Sequence, residues 1–148
     1  NSDIYQKLVL KEQKVDFVSP SFDDSMDGEL FSIFARVKDA KDVDYVRDEI
    51  LKTFKRYSTE LVPQKELDET RSRTRYGLAM GMNSSEAIAG ILAPYIALKR
   101  TPETLNKLFD VYTQITPEDV RSIAAKYFVG RNRTIVTLAT DKKKEAGK

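Results

Sequence analysis

Five side-chain groupings in this chain have residue types that do chemistry elsewhere. Asp23, Ser25, Asp27 and Gly28 fall at positions one, three, five and six of a calcium-loop pattern. Position twelve, where a bidentate Glu should close the site, is Phe34 in a β-rich run, so the stretch reads as an acidic turn. Glu12, Asp16, Asp23 and Asp24 are candidate paired carboxylates. No spacing brings two of them together for acid–base work, and loop acids are ordinarily solvated. Arg71, Arg73, Arg75 and Tyr76 form a basic cluster; Arg71 and Arg75, four apart, share a helix face behind Glu66 and Asp68. A salt-bridged surface explains it, and a contact with a partner domain is the sharper reading. Lys142-Lys143-Lys144 is too short for a membrane or nucleic-acid site. Asn83-Ser84-Ser85 and Asn132-Arg133-Thr134 match the glycosylation triplet, which matters only in a secretory setting.

Two zero counts weigh more than these groupings. The chain has no Cys and no His. That excludes a disulfide framework, a thiolate or His-ligated zinc site, a cysteine nucleophile and a Ser-His-Asp triad within these residues. The 148 residues carry 25 Lys plus Arg against 23 Asp plus Glu, a net charge of +2. The last eight residues hold four Lys, one Asp and one Glu, so they supply the whole excess and leave the body neutral. A neutral body argues against a nucleic-acid surface. At 41% hydrophobic and 32% charged residues the composition is that of a folded domain. No signal-peptide pattern and no membrane-spanning run is present. The opening Asn1-Ser2-Asp3-Ile4 enters a helix without an initiator Met, the pattern of a piece cut from a longer protein.

The elements that must position these residues follow from periodicity. Residues 2–12 read as a short helix capped by Ser2 or Asp3, with Ile4, Leu8 and Tyr5 on one face. Residues 15–19 and 30–37 are β-rich and close enough to pair as an antiparallel hairpin across a turn. In the second, Phe31, Ile33, Ala35 and Val37 share a face. Val43, Val46, Ile50, Phe54, Tyr57 and Leu61 form a helical stripe that Pro63 ends. Helices are predicted over 64–82 and 85–99; the second is apolar nearly all round, so it should be buried or pressed against another domain, with a kink at Pro94. Thr101-Pro102-Glu103 and Thr116-Pro117-Glu118 repeat one helix-start signature, with Gly130 as a stop for the last helix. Residues 134–139 close as a β-branched strand. Helix, two strands, a helical block and a strand make one α+β domain over 1–140, a mainly antiparallel sheet with helices on one face, followed by a charged mobile tail over 141–148. Three strands are few, and more are expected on the N-terminal side.

Taken in order, the segments resemble the late part of a half of the pitrilysin/insulinase-type zinc metallopeptidases. They are residues 4–13, the strand over 30–38, the long helix through Glu60, Arg73-Thr74-Arg75-Tyr76-Gly77, the Ala/Ile-rich helix, Tyr112-Thr113-Gln114-Ile115-Thr116-Pro117-Glu118-Asp119-Val120, Ala124-Ala125-Lys126-Tyr127-Phe128 and the closing Arg133-Thr134-Ile135-Val136-Thr137-Leu138. The resemblance spans residues 5–138. It implies repeated α/β halves, of the mitochondrial-processing-peptidase-like metallohydrolase fold, closing around an extended unfolded peptide. One half carries His-x-x-Glu-His and a downstream Glu that hold and use zinc. With no His here, zinc would be bound by the parent or partner half, and this chain binds no cofactor. The expected partners are that catalytic half or a partner subunit, the peptide, and a second copy of the fragment, with no nucleic acid and no membrane span.

Active members often supply from the non-catalytic half an Arg and a Tyr, seven residues apart, that hold the substrate carbonyl. The matching positions are Val9 and Asp16, which offer no such donors. Lys11, Glu12 and Gln13 fit the local pattern without that chemistry. Arg75 and Tyr76 do not replace the pair, because adjacent helical residues point about 100° apart. These five residues are the candidates for contact with peptide or partner. The resemblance therefore implies a non-catalytic part of a zinc endopeptidase, or alternatively a scaffold subunit without proteolytic role. An unrelated α+β binding module is the third reading, should the sheet prove complete without further strands.

Overall fold

A computed structural model describes residues 2–22, 27–99, 101 and 103–139. The chain begins with a turn of α-helix, α1 (Asp3–Tyr5), capped by the Ser2 hydroxyl, which accepts from the Tyr5 N–H. It continues as a π-helix over Gln6–Lys11 rather than the plain α-helix the spacing predicts. The Glu12 N–H bonds Lys7 O, five residues back, at 2.9 Å. Leu8 is buried on the core side of this segment, and Ile4 and Val9 pack against the same cluster. Gln13 then takes φ 53°, the left-handed cap conformation, and the Lys14 N–H reaches Leu8 O at 3.0 Å.

That cap turns the chain into β1 (Val15–Ser21), which pairs antiparallel with β2 (Ser32–Val37) in the predicted hairpin. Val15 lies opposite Val37 and Ser21 opposite Ser32, with a bulge between Val15 and Phe17. A 3-10 turn, Ala40–Asp42, leads into α2 (Val43–Thr59). The core sits where these meet: Leu8, Val15 and Val46 are buried, with Ile4, Val9, Ala35, Val37 and Ile50 around them. The alternation of β2 and the stripe of α2 are thus both realised. Leu61 is outside the helix and exposed.

The rest is helical: α3 (Gln64–Gly81), α4 (Ser85–Lys99), α5 (Thr104–Gln114) and α6 (Pro117–Tyr127). Ser84 caps α4, accepting from the Ala87 N–H at 3.1 Å, and α4 runs unbroken through Pro94. Thr116 caps α6 in a reciprocal box: its hydroxyl accepts from the Asp119 N–H at 3.2 Å, and Asp119 accepts from the Thr116 N–H at 2.8 Å. The Thr116 hydroxyl also donates to Asp119, which holds that carboxyl below its ordinary value of 3.8. This contribution is present at neutral pH and is lost as the pH falls through the lowered value. The first member of the repeated signature differs. Pro102 lies outside the described residues, and α5 starts at Thr104 without a side-chain cap.

α6 packs on α2, burying Ala124, and Phe54 of α2 meets Phe128 after α6 with ring centroids 4.4 Å apart. Phe31, just before β2, completes the cluster at 5.2 Å from Phe128 and 6.1 Å from Phe54. Gly130 is not the stop of α6; Phe128 ends it, and Gly130 opens a 3-10 turn over Gly130–Asn132.

The closing strand needs correction. Residues 134–139 join no sheet, so the described sheet has two strands and the fold is a mostly helical α+β arrangement, 65% helical. A strand exists only with a partner ladder, and this segment pairs with none among the described residues. The apolar α4 is not buried within this chain: it touches α5 and keeps Ile91, Leu92 and Tyr95 half-buried, which leaves packing against another domain as the open branch of its expectation. Ala89, Gly90, Ala93, Pro94 and Ala97 are exposed, and Ile88 and Ile96 are 39% and 45% accessible. The whole chain exposes 11,938 Å². A compact monomer of 16.9 kDa would expose about 7,700 Å² by size scaling. This fold leaves interface-sized surface open.

Candidate functional site at the helix–strand junction

The end of the π-helix, the start of β1 and the first turns of α2 bring six polar side chains together. Lys7 donates to Glu49 at 2.5 Å and lies 3.9 Å from Glu12. Lys14 donates to Asp42 at 2.5 Å. The Tyr45 hydroxyl donates to Glu12 Oε1 at 3.0 Å, and its ring lies 5.7 Å from the Lys7 ammonium and 5.2 Å from that of Lys14. Glu12 Oε2 is buried and has no hydrogen-bond partner among the described residues. The sequence places Lys7, Asp42, Tyr45 and Glu49 on helical segments far apart in the chain. Only the cap at Gln13, by folding β1 back under α2, closes them on Glu12 and Lys14.

This network fastens α2 to the junction. Hydrogen bonding to Glu49 raises the Lys7 ammonium above its ordinary value of 10.5. A lysine that serves as base or nucleophile needs the opposite shift, so Lys7 stays charged and unreactive at neutral pH. A second clamp holds the other end. Arg56 on α2 donates to Asp3 at 2.9 Å and stacks 5.1 Å from the Tyr57 ring centroid. Tyr57 donates to Glu66 of α3 at 3.4 Å, and burial raises its phenol. Between the clamps runs an open groove of about 340 Å³, with Ile4, Lys7, Glu49, Thr53 and Arg56 among its walls. Its cations and carboxylates largely neutralise one another.

The residues singled out by sequence fall in different settings. Glu12 is in the junction network, while Lys11 and Gln13 beside it are exposed. Val9 packs against the core. Asp16 is exposed on β1 and faces Arg36 at 3.5 Å and Lys38 at 3.9 Å across the ladder. Arg75 and Tyr76 stand on the outer surface of α3, Tyr76 68% accessible, and make no hydrogen bond or ion pair among the described residues. Asp23, Asp24 and Ser25 of the calcium-like stretch, and the tail over 141–148, lie outside the described residues.

The basic cluster on α3 has one fixed member. Arg71 donates to Tyr112 O at 3.0 Å, to Ile115 O, and to Asp68 at 2.7 Å. It caps the carbonyl end of α5, where a cation is favoured. Spacing gave no sign of this, because the acceptors are backbone oxygens about forty residues on. Arg71→Ala should cost about 1.5 kcal/mol, the value of a hydrogen bond to a charged group. Arg75→Ala, four residues along, should cost less than about 0.5 kcal/mol; paired urea melts check both.

Zinc is the metal the resemblance implies for the parent. Among the described residues no group of three or more Asp, Glu, His or Cys is placed to hold a metal ion. With neither His nor Cys in the chain, the donor set does not fit zinc. No helix among the described residues is long and apolar enough to cross a membrane. No protein-family model, no curated protein and no solved structure matches this chain.

Proposed function

We propose that this chain is the non-catalytic C-terminal part of a half of a pitrilysin/insulinase-type zinc endopeptidase, and that it helps close a chamber around an unfolded peptide. The ordered run of family-like segments from residue 5 to residue 138 carries the reading. The almost uncharged α4, not buried within this chain, supports it: such a helix is stable against a second apolar surface, as a closing half would provide. Zinc and the residues that activate water belong to the other half. Here Lys11, Glu12 and Gln13 border the chamber wall, and Arg75 and Tyr76 face the partner.

One observation favours the alternative, a scaffold subunit of a peptidase-like complex. The positions that carry Arg and Tyr in active relatives hold Val9 and Asp16, the first in the core and the second tied to Arg36 and Lys38. Both side chains are committed to the fold, so this half contributes shape rather than donors to a substrate carbonyl.

Zinc content and cleavage of a mixed quenched-peptide library, measured on the purified chain, test the division of labour. The expected result is no bound zinc and no cleavage. Stoichiometric zinc with chelator-sensitive cleavage would place a metal site inside this chain and overturn the proposal.

A further inference from the structure

The two outer edges of the hairpin are not equivalent. β1 carries Pro20, which lacks a donor, and a bulge between Val15 and Phe17; both features blunt an edge. β2 reads Ser-Ile-Phe-Ala-Arg-Val, with no Pro, Gly, Lys or bulge of its own. Among the described residues its backbone hydrogen bonds go only to β1. Exposed apolar side chains flank this open edge: Leu30 is 83%, Phe31 43% and Phe34 61% accessible. An edge this plain is either paired or prone to uncontrolled pairing.

The same chain presents a strand with no ladder. Residues 134–139, Thr-Ile-Val-Thr-Leu-Ala, match β2 in length and are β-branched at most positions. Their backbone makes no hydrogen bond among the described residues. Ile135, Val136 and Leu138 are 49%, 85% and 98% accessible, so apolar side chains point to both faces, the pattern of a strand meant for burial. The exit of this segment is fixed. Asn132 N–H bonds Val129 O at 3.1 Å, Arg133 N–H bonds Gly130 O at 3.3 Å, and the Asn132 amide donates to Tyr127 O at 3.4 Å. The turn is rooted at Phe128, which stacks on Phe31 at the head of β2. Beyond the turn the segment stands exposed and joins neither strand of its own hairpin among the described residues.

We infer that residues 134–139 form the third strand of the hairpin sheet of a second copy of this chain, added along the open edge of β2, with the exchange made reciprocally in a two-fold dimer. Each copy carries one free strand and one plain edge of equal length, so two copies satisfy each other and the assembly closes. The inference does not depend on the peptidase reading, which rests on α4 and on the sequence order of the segments.

Sedimentation of the intact chain up to about 100 µM, with amide exchange, tests it. The expected result is a monomer–dimer equilibrium in which the amides of 134–139 and 32–37 slow together by at least about 100-fold in the dimer. Neighbouring strand residues donate to opposite sides, so Val136→Pro and Thr137→Pro together sample both donor directions. At least one should weaken dimerisation by about 100-fold or more with helical circular dichroism unchanged. A chain that stays monomeric overturns the inference. So does protection of 134–139 in the monomer, which would mean docking within one chain. A dimer that survives both proline variants does so too, since its contact would lie elsewhere.

Discussion

Leu8→Ala should lower the stability of the isolated chain by about 3 kcal/mol, with the urea midpoint falling by half or more. Leu8 is fully buried and, among the described residues, shares its core cluster with buried Val15 and Val46. It sits in the π-helix beside Val9, which packs against the same cluster. A truncated side chain there leaves a cavity between the π-helix, the hairpin and α2, lined by the residues packed around Leu8. A domain with so small a core stands near the lower end of ordinary stabilities, about 5 kcal/mol, so the loss is a large fraction of the total. Val111→Ala on α5, where the side chain is 55% accessible, should change stability by less than about 0.5 kcal/mol. Equal effects at the two positions would show that the core has been misplaced.

Ile88→Glu with Ile96→Glu should leave the melting of the isolated chain nearly unchanged and weaken docking to the proposed catalytic half by at least about 100-fold. The two residues stand two turns apart on α4, both exposed. Glu is a good helix former, so the helix itself loses little. What changes is the partner's gain: two carboxylates would have to be desolvated where apolar contacts are expected. If α4 were an ordinary surface helix, the double substitution would be silent in every assay. If α4 were core in the isolated chain, the substitutions would unfold it. The account requires the third outcome, stability kept and association lost.

Local rules made much of the fold legible. The period-two run over β2 and the 3.6-residue stripe of α2 both landed because each has one apolar face and one core to bury it in. The cap of α6 was legible because Thr116 and Asp119 satisfy each other's backbone within one turn. The misses are non-local. The π-turn at Gln6–Lys11 depends on the junction it enters, not on its own residues. Arg71 was readable as a surface cation, but its partners are carbonyl oxygens at the end of α5. Residues 134–139 have every property of a strand, and β structure still needs a second edge that their own sequence cannot specify. The composition of α4 calls for burial or for another domain; the first is absent within this chain, and the second needs a surface that its own sequence cannot specify. Of the candidate site, Glu12 was named from sequence, whereas Lys7, Lys14, Asp42, Tyr45 and Glu49 were not. Ordinary charged residues on helices carry no mark that they will converge.

The most direct test is reconstitution. A half bearing His-x-x-Glu-His is assayed for zinc-dependent cleavage of an unfolded peptide, alone and with increasing amounts of this chain. The account predicts little cleavage by that half alone, a rise that saturates at one chain per catalytic half, and loss of the rise with the Ile88→Glu, Ile96→Glu variant. A catalytic half that neither binds this chain nor changes its rate when the chain is added would contradict it.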